Sequence, residues 1–290
     1  MQRVVIVGTG LIGTSIGLAL RSAGFAGRIT GIDHSAAEGA EAMRMGAVDC
    51  ACASEEEAQT ACIAADVIVL AVPVMGIMDW MQRLAPVLGD GQLVTDAGST
   101  KLAICEAAAA GYGGDGQARF LPGHPMAGKE SGGAALGDAA LFDGAMWLFT
   151  ATQETGELGR EWREWVERFG CRTMDLDAGK HDQICAWVSH LPQMVSTAMA
   201  AMFADEFEQQ PELAKEFGAI GGRGLREMTR LGSSPYSMWR DVAMTNTKPL
   251  AATLFALEQR LAHLRENLKT AELRDEFLKA NEFRRSGGPR

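Results

Sequence analysis

No CxxC pair and no histidine cluster at zinc-ligand spacing occurs in this 290-residue chain, whose six cysteines stand at positions 50, 52, 62, 105, 171 and 185. Those spacings argue against a metal knuckle and against a disulfide framework, so reduced, buried thiols and no bound metal are expected. A stretch of about 18 uninterrupted apolar residues, the minimum to cross a bilayer, is also missing. Met1-Gln2-Arg3 leads straight into a strand-like run, which leaves no room for a signal peptide. A cytoplasmic protein is the expectation. Basic excess is missing too, since 27 Lys and Arg face 37 Asp and Glu, for a formal net charge of -10. That field repels polyanions, so neither nucleic acid nor an anionic membrane is expected as a partner, whereas a small anion can still be held in a locally basic pocket.

What remains is the composition of an ordinary globular protein, 47% hydrophobic and 22% charged, with length enough for two domains. Val4-Val5-Ile6-Val7 is a short β-branched run without polar alternation, as in a parallel strand covered on both faces. A glycine turn follows, and apolar residues then recur at helical spacing from Leu11 to Ala23. The same grammar predicts strands over 28–33, 66–72, 92–95, 120–121, 145–149 and 171–174, with helices over 36–45, 75–88 and 157–169. Alternation of this kind builds a Rossmann-type, doubly wound, mostly parallel α/β sheet. Beyond about residue 175 strand signals cease. From Gly179 to Asn281 the chain is rich in Ala, Leu, Met and Glu and is broken only at Gly221-Gly222, at 232–235 and at Lys248-Pro249. The expected organisation is a nucleotide-binding domain over 1–175, an all-α domain over 176–282 that forms a homodimer, and a disordered tail over 283–290, rich in Ser, Gly, Pro and Arg. The dimer is inferred by analogy of fold.

The glycine turn reads Gly8-Thr9-Gly10-Leu11-Ile12-Gly13 between a predicted strand and a predicted helix. Gly8 permits the bend, Gly10 lets a pyrophosphate approach the backbone, and Gly13 lets helix pack on strand, while the helix N-terminus faces the phosphates. Asp33 closes the second strand 20 residues after Gly13. Its carboxylate suits the adenosine ribose hydroxyls and repels a 2'-phosphate, and His34-Ser35-Ala36 supplies no arginine, so NAD is expected over NADP. Val72 and Pro73, at the end of the third strand, complete the expected cofactor site.

Two further motifs fall at the carboxyl edge of the predicted sheet, where open sheets bind ligands. Asp96-Ala97-Gly98-Ser99-Thr100-Lys101 follows the fourth strand, and its Ser99 or Thr100 reads either as a substrate contact or as the cap of the next helix. Pro122-Gly123-His124-Pro125-Met126-Ala127-Gly128-Lys129 follows the fifth strand and reads as a tight loop presenting the imidazole of His124 to the same crevice.

Together with His181-Asp182 ahead of Ser189-His190-Leu191-Pro192-Gln193, the run 223–230 ending Met228-Thr229-Arg230, and Met238-Trp239-Arg240-Asp241, these motifs resemble the prephenate and arogenate dehydrogenase family of tyrosine biosynthesis. The likeness covers about residues 3–270. In that family a cyclohexadiene with a ring carboxylate and a para hydroxyl is oxidised by NAD with loss of carbon dioxide. The resemblance implies that His124 accepts the hydroxyl proton with Ser99 as its hydrogen-bonding neighbour, and that His190 and Arg230 contact the substrate. Lys101 matches a position that touches substrate or cofactor phosphate, or is a solvated helix lysine. Glu130 gates the site or is a surface residue, and Trp239 borders the substrate or is core. Gln193 stands where many relatives have histidine. The length implies no fused mutase and no regulatory domain, so that any feedback by tyrosine acts at the active site. Two alternatives remain at this point: a two-domain 3-hydroxy-acid dehydrogenase with a lysine as its acid/base group, and a non-catalytic NAD-sensing protein.

Overall fold

The structure, a computed structural model, describes residues 1–151 and 153–287, so that 288–290 of the expected tail lie outside the described residues. Six parallel strands form the main sheet: β1 (Arg3–Val7), β2 (Arg28–Ile32), β3 (Cys50–Ala51), β4 (Val67–Leu70), β5 (Leu93–Asp96) and β6 (Arg119–Leu121), in the order β3-β2-β1-β4-β5-β6. The order reverses between β1 and β4, and the carboxyl ends of these two strands open the crevice in which such sheets bind ligands. Alternation along β1 explains the continuous apolar run. Val4 and Ile6 enter one core with Ile16, Phe142 and Trp147, while Val5 and Val7 enter a second with Ile68, Leu70 and Ile77 on the other face.

Helices α1 (Leu11–Ser22), α2 (Ala36–Arg44), α3 (Glu55–Ala64), α4 (Val74–Leu84) and α5 (Leu102–Ala108) connect these strands. β3 and α3 were not expected, and α5 was anticipated only as the helix that Ser99 or Thr100 would cap. β3 has two residues, α5 has seven, and α3 buries only Ala58 and Cys62, too few to print a helical period. His124 departs further from its expected loop. Gly123–Pro125 is not loop but a strand, β7, paired antiparallel with β8 (Met146–Phe149), which pairs parallel with β9 (Arg172–Asp175) in a second, three-stranded sheet. β7 is an edge strand three residues long, where proline costs no ladder bond. This sheet packs Trp147 against Trp162 of α6 (Gly156–Arg168).

After Asp175 the described residues are helical: α7 (Ala178–Cys185), a π turn over Ala186–His190, α8 (Leu191–Gln209), α9 (Pro211–Ile220), α10 (Arg223–Thr229), a 3-10 turn over Arg230–Ser233, α11 (Tyr236–Thr245), α12 (Thr247–Glu266) and α13 (Ala271–Arg285). The last helix runs through Arg285, so residues 283–285 continue it rather than begin a disordered tail. Among the described residues no helix is long and apolar enough to cross a membrane. Phe255 and Leu261 on α12 and Phe277 and Leu278 on α13 stay more than half exposed in the single chain.

The glycine turn is set by close approach. Gly8 has φ +91°, and a Cβ at Gly13 would stand 1.9 Å from the Gly8 carbonyl oxygen, so only hydrogen fits there. Gly10 differs, because a Cβ there would meet nothing within 4 Å. Gly13→Ala is therefore expected to push α1 off the sheet and cost about 1–3 kcal/mol of stability. Gly10→Ala should leave Tm within a degree or two of the parent while weakening nucleotide binding. Thermal denaturation and NAD titration of both variants check this contrast, and equal stability losses would contradict it.

Candidate active site

The carboxyl end of β5 is pinned by a buried ion pair. The Asp96 carboxylate accepts from the Gly98 amide at 2.8 Å, from the Gly123 amide at 3.1 Å and from the Lys101 ammonium, which also donates to the Gly123 carbonyl at 2.8 Å. Lys101 is fully buried. It does not lie in solvent, one of the two roles expected of it. It ties the turn after β5 to the backbone immediately before His124. Removing one partner of such a pair strands the other charge in the interior, at a cost of about 3–5 kcal/mol.

From β7 the His124 side chain meets α7. His124 Nδ1 lies 2.8 Å from His181 Nε2, and His181 Nδ1 lies 2.8 Å from Asp182 Oδ1. Asp182 also accepts from the amides of Lys101 at 2.7 Å and Leu102 at 3.0 Å, capping α5 from another element. Neither Ser99 nor Thr100 provides that cap, since the Thr100 hydroxyl pairs instead with Thr245 at 2.8 Å. The chain of bonds has one sense. An ionised carboxylate only accepts, so His181 carries its proton on Nδ1, presents a lone pair at Nε2 and receives the Nδ1 proton of His124. His124 Nε2 is left bare, as a general base requires. Burial, reinforced by His181, Lys101 and His190 nearby, holds His124 well below the usual imidazole range, so it is neutral at pH 7. The bond of His124 Nδ1 goes to His181 and not to Ser99. Ser99 sits half-buried in the turn before α5. His181 and Asp182 were visible as a dipeptide without a role.

A second set of donors faces the same region. The Asn246 amide nitrogen donates to the Asp182 carbonyl at 2.8 Å and lies 3.1 Å from His190 Nδ1. His190 Nδ1 therefore accepts, and its proton sits on Nε2. That atom is buried without a hydrogen-bond partner, the Ser99 backbone lying close without closing one. Trp239 Nε1 is likewise buried and unpaired, and the two rings stand edge to face at 5.8 Å. Two desolvated N–H groups on neighbouring rings suit an anionic oxygen. Burial lowers His190 to about 4 despite the opposing pull of Asp182, so its donor is a neutral N–H. Nothing in the sequence singled out Asn246.

Arg230 pairs with Glu130, linking the 3-10 turn of the helical half to the segment after β7. Its side chain is 60% exposed, which leaves the guanidinium open to exchange one carboxylate for another. Gln193 is buried. Its amide nitrogen donates to the Leu231 carbonyl at 2.7 Å and its oxygen accepts from Ser234 at 3.1 Å. It holds the turn that carries Arg230.

At the neighbouring strand ends the Asp33 carboxylate accepts from the Thr9 amide at 2.7 Å and the Ser35 amide at 2.9 Å, and pairs with His34 at 3.0 Å. The α1 N-terminus has no side-chain cap and no acidic residue in its first turn. With Gly10 open above it, this end of the helix dipole fits an anionic pyrophosphate. Leu11 is buried, Ile12 is partly exposed, Val72 packs beside Gly8, and Pro73 is the exposed cap of α4.

Residues 16–173 match the family described as "Prephenate dehydrogenase, nucleotide-binding domain", and residues 177–281 match "Prephenate dehydrogenase, dimerization domain". The prephenate dehydrogenase of Lactococcus lactis is 33% identical over 267 residues, which are 92% of this chain and 70% of that protein. That of Bacillus subtilis is 29% identical, the aligned region covering 84% of this chain and 64% of the relative, just under two thirds of its length. Among solved structures, a prephenate dehydrogenase from A. aeolicus in complex with hydroxyphenyl propionate and NAD+ superposes with a TM-score of 0.83 at 28% identity, covering 99% of this chain and 98% of that one.

Asp182→Asn puts an amide N–H where the relay needs an acceptor and reverses the proton order through His181 to His124. A fall in kcat of about 10²–10⁴-fold with NAD affinity unchanged is the expected result, and unchanged kcat would remove the relay. Because the fold keeps His124 and His190 neutral below the pKa of about 6.5 they have when unfolded, stability is full above that pH and is lost as pH falls towards 4. The acid limb of kcat/KM should correspondingly lie below 6.5; a limb at or above 7 would contradict the buried, neutral imidazole.

Proposed function

The chain belongs to the prephenate dehydrogenase family, and from that premise we propose that it oxidises prephenate, arogenate or both with NAD, releasing carbon dioxide. The observation that carries the reading is the bare Nε2 of His124, fixed by His181 and Asp182 beside the crevice that the glycine turn opens. His124 takes the proton of the para hydroxyl, and the positive charge it gains is shared through His181 with the Asp182 carboxylate. NAD, when bound, supplies the acceptor for the hydride that leaves the hydroxyl carbon. Loss of the ring carboxylate then leaves an aromatic ring, so the chain has no long-lived intermediate to stabilise and acts by holding groups in place.

Two substrate carboxylates need cationic or N–H partners. Arg230 serves one by releasing Glu130, and the unpaired N–H groups of His190 and Trp239 serve the other. Ser99 lies in the turn before α5 with its backbone near His190, while Gln193 and Lys101 act by positioning. Asp33 at the end of β2, with no arginine beside it, supports NAD over NADP. The exposed apolar side chains of α12 and α13 support a homodimer through a helical domain over 176–282, with residues 1–175 as the nucleotide domain. A 3-hydroxy-acid dehydrogenase would need a lysine as its acid/base group, and Lys101 at this edge is buried and bound to Asp96.

His124→Asn is expected to lower kcat about 10²–10⁴-fold while NAD still binds, and full activity in this variant would overturn the assignment. Arg230→Gln should raise KM for the anionic substrate far more than it lowers kcat. Side-by-side assays of prephenate, arogenate and 3-hydroxy acids test the substrate class. Turnover of hydroxy acids alone rejects the reading, and NAD binding with no turnover of any of them points to a sensing protein.

A further inference from the structure

The spacing of the cysteines along the chain gave no sign of a metal site, yet folding brings one set of soft donors together. Cys185 closes α7 four residues after His181, on the same helix face, and its Sγ lies 3.5 Å from His181 Nε2 and 4.0 Å from His124 Nδ1. Those two nitrogens are 2.8 Å apart, and all three residues are buried. In a tetrahedral zinc site, with Zn–N near 2.0–2.1 Å and Zn–S near 2.3 Å, donor atoms stand about 3.3 Å (N to N) and about 3.6 Å (N to S) apart. The two sulfur distances bracket that value, and the nitrogen pair needs to open by about 0.5 Å.

We propose that His124, His181 and Cys185 form a site for a thiophilic divalent cation such as Zn²⁺, and that its occupation switches the dehydrogenase off. The metal takes the place of the proton shared between the two imidazoles. His181 keeps its Nδ1 proton on Asp182 and gives the metal its Nε2 lone pair. His124 must give up its Nδ1 proton to coordinate there, and as a neutral ring it then carries a proton on Nε2. The atom that accepted the substrate hydroxyl proton becomes a donor. Cys185 binds as thiolate, so one proton is released for each metal bound and no electron is transferred. Burial keeps the free thiol protonated and inert, so Cys185 has no part in turnover without the metal. The fourth coordination position is left to solvent entering from the crevice.

The switching half of this inference rests on His124 as the base; the metal site does not. Titration of the full chain with Co²⁺ alone is expected to give a thiolate-to-cobalt absorption band together with the visible bands of four-coordinate cobalt, and Cys185→Ser should abolish the thiolate band. Zn²⁺ should inhibit NAD-linked turnover, a chelator should restore it, and Cys185→Ser and Cys185→Ala should each be at least about ten-fold less sensitive, one decade of affinity being about 1.4 kcal/mol. Co²⁺ binding to the parent without a thiolate band, or equal Zn²⁺ sensitivity of the parent and both variants, overturns the site. A thiolate band that comes without inhibition supports the site and removes His124 as the base.

Discussion

One buried carboxylate joins the two halves of the molecule and sets the state of the His124 imidazole. Asp182 stands on the first helix of the helical half, yet its oxygens receive the first amides of α5 in the nucleotide-binding half and the ring N–H of its neighbour His181. Its backbone carbonyl receives Asn246, which in turn fixes the tautomer of His190. Helix capping, the joining of the halves and proton placement on two histidines thus share one group. A shift of α7 would misplace the cap of α5 and the proton on His124 together, which makes the site an all-or-none arrangement.

The polarity of this region is costly, and the fold meets the cost by saturating nearly every group. Asp96 has three donors and Lys101 two acceptors, so this ion pair sits in the interior without an uncompensated charge. Among the described residues the buried side-chain atoms without a partner are Trp147 Nε1, Trp162 Nε1, Ser196 Oγ, His190 Nε2 and Trp239 Nε1, and the rings of the last two stand edge to face. Desolvation without a partner costs about 1–3 kcal/mol for each such group. Burial acts in the same direction on both histidines by disfavouring the charged form. A neutral His124 can accept a proton, and a neutral His190 donates without repelling it.

Local patterns carried the architecture. The unbroken Val4–Val7 run announced a strand covered on both faces, the glycine turn announced close approach of helix to sheet, and the loss of strand signals near 175 marked the change to helices. α5 was legible only as a helix awaiting a cap, while β3 and α3, too short or too weakly amphipathic to print a period, were not legible. Neither was β7, where prolines that signal a loop bracket a three-residue edge strand. Side-chain roles were less legible than positions. Lys101 and Gln193 carry polar groups that suit ligands, and only the folded chain shows those groups bound to Asp96 and to Leu231. His181 lies 57 residues from His124, and no local pattern pairs them. The proximity of Cys185 to both is hidden for the same reason.

The account depends on which nitrogen of His124 carries the proton, and that can be observed without substrate. A long-range ¹⁵N–¹H spectrum of histidine-labelled protein at pH 7 distinguishes protonated from bare ring nitrogens at each of the five histidines. The expected result is a neutral His124 protonated at Nδ1 and bare at Nε2, with a His181 of the same tautomer and a His190 protonated at Nε2. A His124 protonated at Nε2, or at both nitrogens, would leave the site without its base and contradict the account.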